Sequence, residues 1–124
     1  MSAKSLVAFA RALARLEEAL SLPHSDVVRD ACIQRFEFSF ELAWKSVQHA
    51  VRTQGRDCVS PRSCLREAYA MSWLEDEVAW LAMLADRNLT SHTYDEVLAQ
   101  AVYGRLNTHA QLLSDLKQKL SALD

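Results

Sequence analysis

The sequence predicts an all-α protein, an antiparallel four-helix bundle with an additional short helix, and three observations carry that expectation. Only two glycines and two prolines occur in 124 residues, so the turn residues that strand-rich folds need are scarce, while Ala, Leu, Glu, Arg and Lys, all favourable in helices, are plentiful. Apolar residues recur at alternating spacings of three and four, which is the period of a helix rather than of a strand. The periodic segments are separated by short connections, which bring successive helices back antiparallel. Half of the residues are hydrophobic, enough for residues 1–124 to form one domain around a real core.

The first helix is predicted over about Ala3–Leu22, where Leu6, Phe9, Leu13, Leu16 and Leu20 mark one apolar face. Pro23 ends it, and Ser25 or Asp26 caps the next helix. That second helix, about Asp26–Gln54, carries a stripe of Ile33, Phe36, Phe40, Trp44, Val47 and Val51, with Gly55 suited to the residue that closes it. Phe38 lies off that stripe, and an exposed phenylalanine on a bundle helix points to a subunit interface, so a homodimer is expected. Glu37, Glu41, Lys45 and His49 recur along a polar ridge, explained by ion pairing one turn apart on a solvated or interfacial face; Glu41 and Lys45 join Phe38 as candidate interface residues. After the linker Arg56–Val59, Ser60-Pro61 supplies an N-cap and a proline at the first position of a short third helix, about Pro61–Met71. Arg62 and Arg66 on it make either a small basic patch or a solvent-facing pair.

The fourth helix is predicted over about Asp76–Asn88, with Trp80, Leu81 and Leu84 inward. The last runs unbroken over about Tyr94–Leu123, with Leu98, Val102, Leu106, His109, Leu113, Leu116 and Leu120 on one side. Gly104 in its middle costs roughly 1 kcal/mol relative to alanine unless a close helix approach uses the missing side chain. His109, inside an apolar stripe, reads as a satisfied core or boundary residue rather than a catalytic one.

Several function classes are excluded. A net charge of −2 gives no overall positive field for nucleic acid, so any RNA contact must use a local basic patch. No signal peptide is recognised and the longest apolar run, Val78–Ala85, is too short to span a bilayer, so a cytoplasmic location with no membrane association is expected. Three cysteines, Cys32, Cys58 and Cys64, with no C-x-x-C pair, argue for reduced packing residues rather than a disulfide framework or zinc site. No Glu-x-x-His motif supports a di-metal bundle, and there is no phosphate loop, zinc-protease motif or nucleophile elbow. Neither metal nor cofactor is expected.

The chemistry concentrates in Asp86–Asp95, a connection predicted to be non-helical. Arg87 and His92 are five residues apart; at roughly 100° per residue a continuous helix would splay them, so convergence needs a break, which the hydroxyls of Thr90 and Ser91 favour. Thr93 is expected to cap the last helix with Glu96 reaching back to it, which puts Tyr94 at the first helical position. A histidine can take the proton of a ribose 2′-hydroxyl and an arginine can hold the phosphate. The alternative is structural: Arg87 pairs with Asp86 or Asp95 and His92 ties the loop down.

Arg87-Asn88-Leu89-Thr90-Ser91-His92-Thr93-Tyr94 resembles the Arg-x4-His-x-Tyr motif of minimal HEPN proteins. Gln34–Lys45, together with Ser60-Pro61-Arg62, resembles the signature of the nucleotidyltransferase substrate-binding proteins. The resemblance covers nearly the whole chain, in order, and the two segments together are far more specific than either alone. The resemblance implies a helical bundle, usually dimeric, partnered with a separate MNT-type nucleotidyltransferase. In toxin–antitoxin members it implies a metal-independent endoribonuclease with Arg87 and His92 catalytic, Asp86, Asn88 and Ser91 supporting, and Tyr94 receiving AMP from the partner. A non-catalytic substrate-binding subunit of a two-chain nucleotidyltransferase stays open as the second reading.

Overall fold

The computed structural model describes residues 4–123, so Ala3, the expected start of the first helix, lies outside them. The helices are α1 (Lys4–Leu20), α2 (Asp26–Thr53), α3 (Pro61–Ala70), α4 (Glu77–Leu89), α5 (Glu96–Tyr103) and α6 (Leu106–Ser121), with a 3-10 turn at Thr90–His92 between α4 and α5. No strand occurs among these residues, and no helix in them is long and apolar enough to cross a membrane.

The bundle is organised around α2. Arg35 of α2 donates to the carbonyl of Arg15 near the end of α1, so the two helices pass antiparallel. Phe9, Leu13 and Leu16 of α1 meet Phe36, Phe40, Val47 and Val51 of α2 in a fully buried core, which Met83 of α4 and Leu106, Leu113 and Leu116 of α6 complete. The α5–α6 arm runs beside α2 in the same direction: Gln100 meets Arg29 at the start of α2, and His109 stacks on Phe36 further along. Local chemistry sets the ends. The Ser25 side chain accepts from the Val28 N–H at 3.0 Å to start α2, and Gly55 closes it at φ +79°. Ser60 and Ser63 form a reciprocal capping box with Pro61 at the first position of α3.

Four expectations are corrected. The last helix is not continuous: α5 ends at Tyr103 and α6 starts at Leu106, with Gly104 capping α5 and Arg105 preceding α6. The apolar stripe survives the break because Val102, Leu106, His109, Leu113, Leu116 and Leu120 all remain buried. Gly104 is no site of close helix approach, since a Cβ there would meet only the carbonyl oxygens of Gln100 and Ala101 at 3.5 and 3.6 Å.

The connection between α4 and α5 is mostly helical, α4 continuing through Leu89 and the 3-10 turn coming directly after it. Trp44 and Leu81 are only partly buried, and the buried Nε1 of Trp44 has no partner. Cys58 and Cys64 are disulfide-bonded, leaving Cys32 as the free, buried cysteine. The first turn of α3 folds Cys64 back over the end of the linker, with Cα atoms 5.1 Å apart; a search confined to C-x-x-C spacing overlooks such a pair.

The two glycines make opposite predictions. Gly104 has ordinary helical dihedrals, so Gly104→Ala should raise stability by about 0.5–1 kcal/mol in urea unfolding followed by circular dichroism. Gly55 sits in the left-handed region, and Gly55→Ala should lower stability by about 1 kcal/mol despite open space around it.

Candidate active site

The last turns of α4 and the turn after it carry the candidate residues. The hydroxyl of Thr90 donates to the carbonyl of Arg87 at 2.7 Å, and that of Thr93 to the carbonyl of Thr90 at 3.1 Å. Side-chain hydroxyls thus take up carbonyls that a continuing helix would have used, and the chain tightens into the 3-10 turn. This spends Thr93, which therefore does not cap α5. Asp95 is the N-cap instead, its carboxylate accepting from the Leu98 N–H at 3.1 Å. Tyr94 consequently lies before the cap rather than at the first helical position. Glu96 does not reach back either, because Arg29 claims its carboxylate through contacts of 2.7 and 3.3 Å.

Arg87 projects from α4 toward α2. Its guanidinium carbon lies 5.6 Å from the centroid of the Phe40 ring, a cation–π arrangement, and its Nη2 lies 3.9 Å from the Glu41 carboxylate, too far for a hydrogen bond. Its Nε is buried without a partner, and among the described residues the guanidinium makes no hydrogen bond. The expected alternative partners are otherwise engaged. Asp95 caps α5, and Asp86 faces α6, where it receives Arg105 through two hydrogen bonds of 2.8 Å and Nε2 of His109 at 2.7 Å.

His92 is exposed and packs edge-on to Tyr94 with ring centroids 6.2 Å apart. Tyr94 is 84 % exposed. It lines an open groove of about 630 Å³ together with Thr90, Thr93, Asp30, Gln34 and Glu37. The structure therefore brings His92 and Tyr94 together, whereas Arg87 stands one turn back against α2, and neither Arg87 nor His92 lines the groove. Asn88 and Ser91 are exposed. Phe38 is 52 % exposed, and Lys45 lies 3.8 Å from Glu41, which stands between Lys45 and Arg87. No cluster of three or more metal-ligating side chains occurs among the described residues.

Two polar networks, each centred on a buried charge, were not foreseen. Arg29 is buried, donates to Glu96, Asp30 at 3.1 Å and Gln100 at 3.2 Å, and so ties the start of α2 to the first turns of α5 just after Tyr94. Hydrogen bonds from Arg29 hold the Glu96 carboxyl below its ordinary range. One signal was available: Arg29 precedes Ile33 by four residues and so extends the apolar stripe of α2. The second network is Asp86–Arg105–His109. His109 is a core residue, as expected, but only half satisfied, since its Nδ1 has no partner. Burial pushes the Asp86 carboxyl up, while hydrogen bonds from Arg105 and His109 outweigh that and hold it below the usual carboxylate range.

Fold and site together define a small all-helical bundle that presents an unfilled guanidinium, an exposed imidazole and an exposed phenol around one turn. The chain belongs to the nucleotidyltransferase substrate binding protein like family, which matches it over residues 4–122. It is 34 % identical over 103 residues to a Haemophilus influenzae protein named "Probable ribonuclease HepT", covering 76 % of this chain and 70 % of that one. A protein of Thermus thermophilus of known crystal structure superposes with a TM-score of 0.86 at 40 % identity, over 90 % of this chain and 98 % of its own. A structure from Haemophilus influenzae, described as revealing the fold of a substrate binding domain of a nucleotidyltransferase, gives a TM-score of 0.83 at 28 % identity, over 94 % of this chain and 98 % of its own.

Asp86 and Glu96 both have lowered carboxyl pKa values in the folded chain, so the stability they contribute is present above the unfolded carboxylate range and is lost as pH falls through the folded values. Urea unfolding should give a constant midpoint from pH 7 to about 5 and a falling one below about 4. Asp86→Asn should be less stable at pH 7 and show a shallower acid fall.

Proposed function

We propose that this chain is a metal-independent endoribonuclease in which Arg87 holds the scissile phosphate and His92 moves the proton. The observation that supports it best is the Arg87 guanidinium. It is three-quarters covered and braced over Phe40, yet its hydrogen-bonding fork is unfilled. A planar fork in that state suits two oxygens of a phosphodiester. The family membership and the ribonuclease name of one relative support the same reading.

In this mechanism the His92 imidazole takes the proton of a ribose 2′-hydroxyl. The 2′-oxygen attacks the adjacent phosphorus, the bond to the 5′-oxygen breaks, and the departing oxygen receives a proton from an imidazolium. The products are a 2′,3′-cyclic phosphate and a 5′-hydroxyl. Arg87 stabilises the charge that grows on the phosphoryl oxygens. A homodimer, with Phe38 at its interface and Glu41 and Lys45 flanking it, would set two such sites across a two-fold axis.

Tyr94 is the regulatory residue of this reading. A cognate MNT-type nucleotidyltransferase would transfer AMP from ATP to the phenol oxygen, releasing pyrophosphate. The adenylate would place bulk and negative charge beside the His92 ring, 6.2 Å away, and repel an incoming RNA phosphate. The exposure of Tyr94 supports access by a second protein.

One observation favours the second reading, a non-catalytic substrate-binding subunit of a two-chain nucleotidyltransferase. The groove beside Tyr94 is lined by Asp30 and Glu37 with no cation, an unfavourable lining for a polyanion. RNA cleavage separates the two readings.

Purified protein with RNA in EDTA should cut the RNA and leave cyclic phosphate ends, and His92→Ala should lower the rate by at least about 100-fold while circular dichroism stays unchanged. Arg87→Lys should lose about 10- to 100-fold, because an ammonium lacks the fork. Full activity in His92→Ala would remove the histidine from the mechanism.

With the partner enzyme and ATP, intact-mass measurement should show one adenylate on the wild type and none on Tyr94→Phe, whose cleavage then persists. An adenylate on both proteins would place the modification elsewhere.

A further inference from the structure

We propose that Asp86 and His109 are positioning residues for Arg87, aiming its guanidinium from behind through the α4 backbone; the inference rests on the assignment of Arg87 to phosphate binding. Asp86 and Arg87 are consecutive near the end of α4 and point to different neighbours. Asp86 is 4 % exposed, and both of its oxygens are occupied: Oδ1 accepts from Arg105 Nη2 at 2.8 Å, while Oδ2 accepts from Arg105 Nε at 2.8 Å and from His109 Nε2 at 2.7 Å. Two parallel N–H donors from a planar fork fix the direction of a carboxylate as well as its distance. The backbone at residue 86 is therefore held against α6.

The second half of the arrangement closes on the same place. The His109 ring stacks on Phe36 with centroids 5.4 Å apart and planes 23° apart. Phe36 packs on Phe40 at 6.3 Å, and the Arg87 guanidinium lies over Phe40. Side chains 86 and 87 thus reach one pair of α2 aromatics by two routes, one through His109 and one directly. Rotating the last turns of α4 would break one route or the other.

Arg87 makes no hydrogen bond among the described residues, so its aim depends on the backbone that carries it, on the ring beneath it and on the Glu41 carboxylate 3.9 Å away. An ion pair of this kind, with Asp86 buried and Arg105 half exposed, is weak grounds for stability. What the carboxylate and imidazole add is orientation. His109 is held by one hydrogen bond and one stacking face, with Nδ1 unpartnered, so the Nε2 donor is the atom that matters.

Two readouts test this. In the first, the Nε–Hε signal of Arg87 is followed by NMR. The wild type should show restricted motion and slow exchange; Asp86→Asn and His109→Leu should show averaged motion there with core methyl signals retained; and His109→Gln, which restores a donor near the Nε2 position, should recover the wild-type signal. An Arg87 signal unchanged in both Asp86→Asn and His109→Leu overturns the proposal whether or not RNA is cut.

In the second, cleavage is measured in a double-mutant cycle. Asp86→Asn and His109→Leu should each lower kcat about 10- to 100-fold in the wild-type background and cause no further loss in Arg87→Ala. Equal losses in both backgrounds would mean that these residues act independently of Arg87, which also overturns the proposal. Leu113→Ala, a buried change on α6, controls for lowered stability and should keep kcat at temperatures where it is folded. If Asp86→Asn does not fold, the His109 pair carries both readouts. Absence of cleavage in the wild type, with the NMR changes present, would sink the ribonuclease reading and leave the positioning role standing.

Discussion

The carboxylate of Asp86 is the point on which the working end of this bundle depends. It is buried, it receives three hydrogen bonds, and its donors are Arg105, at the break between α5 and α6, and His109 on α6. A carboxylate taken out of water without partners would be strongly destabilising, so the folded chain must deliver Arg105 and His109 to it. The break at Gly104–Arg105 is consistent with that need: the chain pauses between α5 and α6 where Arg105 turns toward α4. Because Asp86 immediately precedes Arg87, the contact that fixes α4 against α6 also fixes the residue aimed at α2.

A buried cation organises the other side. Arg29 gathers Glu96, Asp30 and Gln100, so that α5 starts where the first turns of α2 permit. Tyr94 is thereby left outside the helix, exposed, and beside a groove whose ionisable lining residues Asp30 and Glu37 are acidic. The two faces of the turn differ in charge as a result. Arg87 offers an unfilled guanidinium toward α2, while Tyr94 looks over carboxylates. In the proposed scheme RNA must reach Arg87 and His92 together, while the modifying protein needs only Tyr94, which packs on His92; a net charge of −2 leaves local placement, not overall field, to decide which anion goes where.

Much of the architecture was legible because it rests on short-range periodicity. Phe9, Leu13 and Leu16 are three and four apart and are buried together; the stripe from Phe36 to Val51 shows the same logic, relaxed only at Trp44. Ser25, Ser60, Pro61 and Gly55 act at the ends where their local chemistry places them. The misreadings arose where one local signal competed with another. Thr93 and Asp95 are both capping residues two positions apart, and the hydroxyl went to the Thr90 carbonyl while the carboxylate took the Leu98 N–H. Gly104 was read as tolerated inside one helix, yet it closes α5. Cys58 and Cys64 were read by spacing, whereas the turn into α3 brought them together.

By itself the sequence determined the helical class, the number of long apolar segments, most element boundaries and the positions of Arg87, His92 and Tyr94 along the chain. These follow from interactions within one or two helical turns, which linear spacing records. Tertiary structure alone decided that Asp86 serves Arg105 and His109 rather than Arg87, that Arg29 captures Glu96, and that Arg87 is left without a hydrogen bond above Phe40. Asp86 and His109 are 23 residues apart and Arg29 and Glu96 are 67 apart. Pairing over such distances is set by which helix faces the core brings within reach, because a buried charge takes the partner that packing puts beside it rather than the one nearest along the chain.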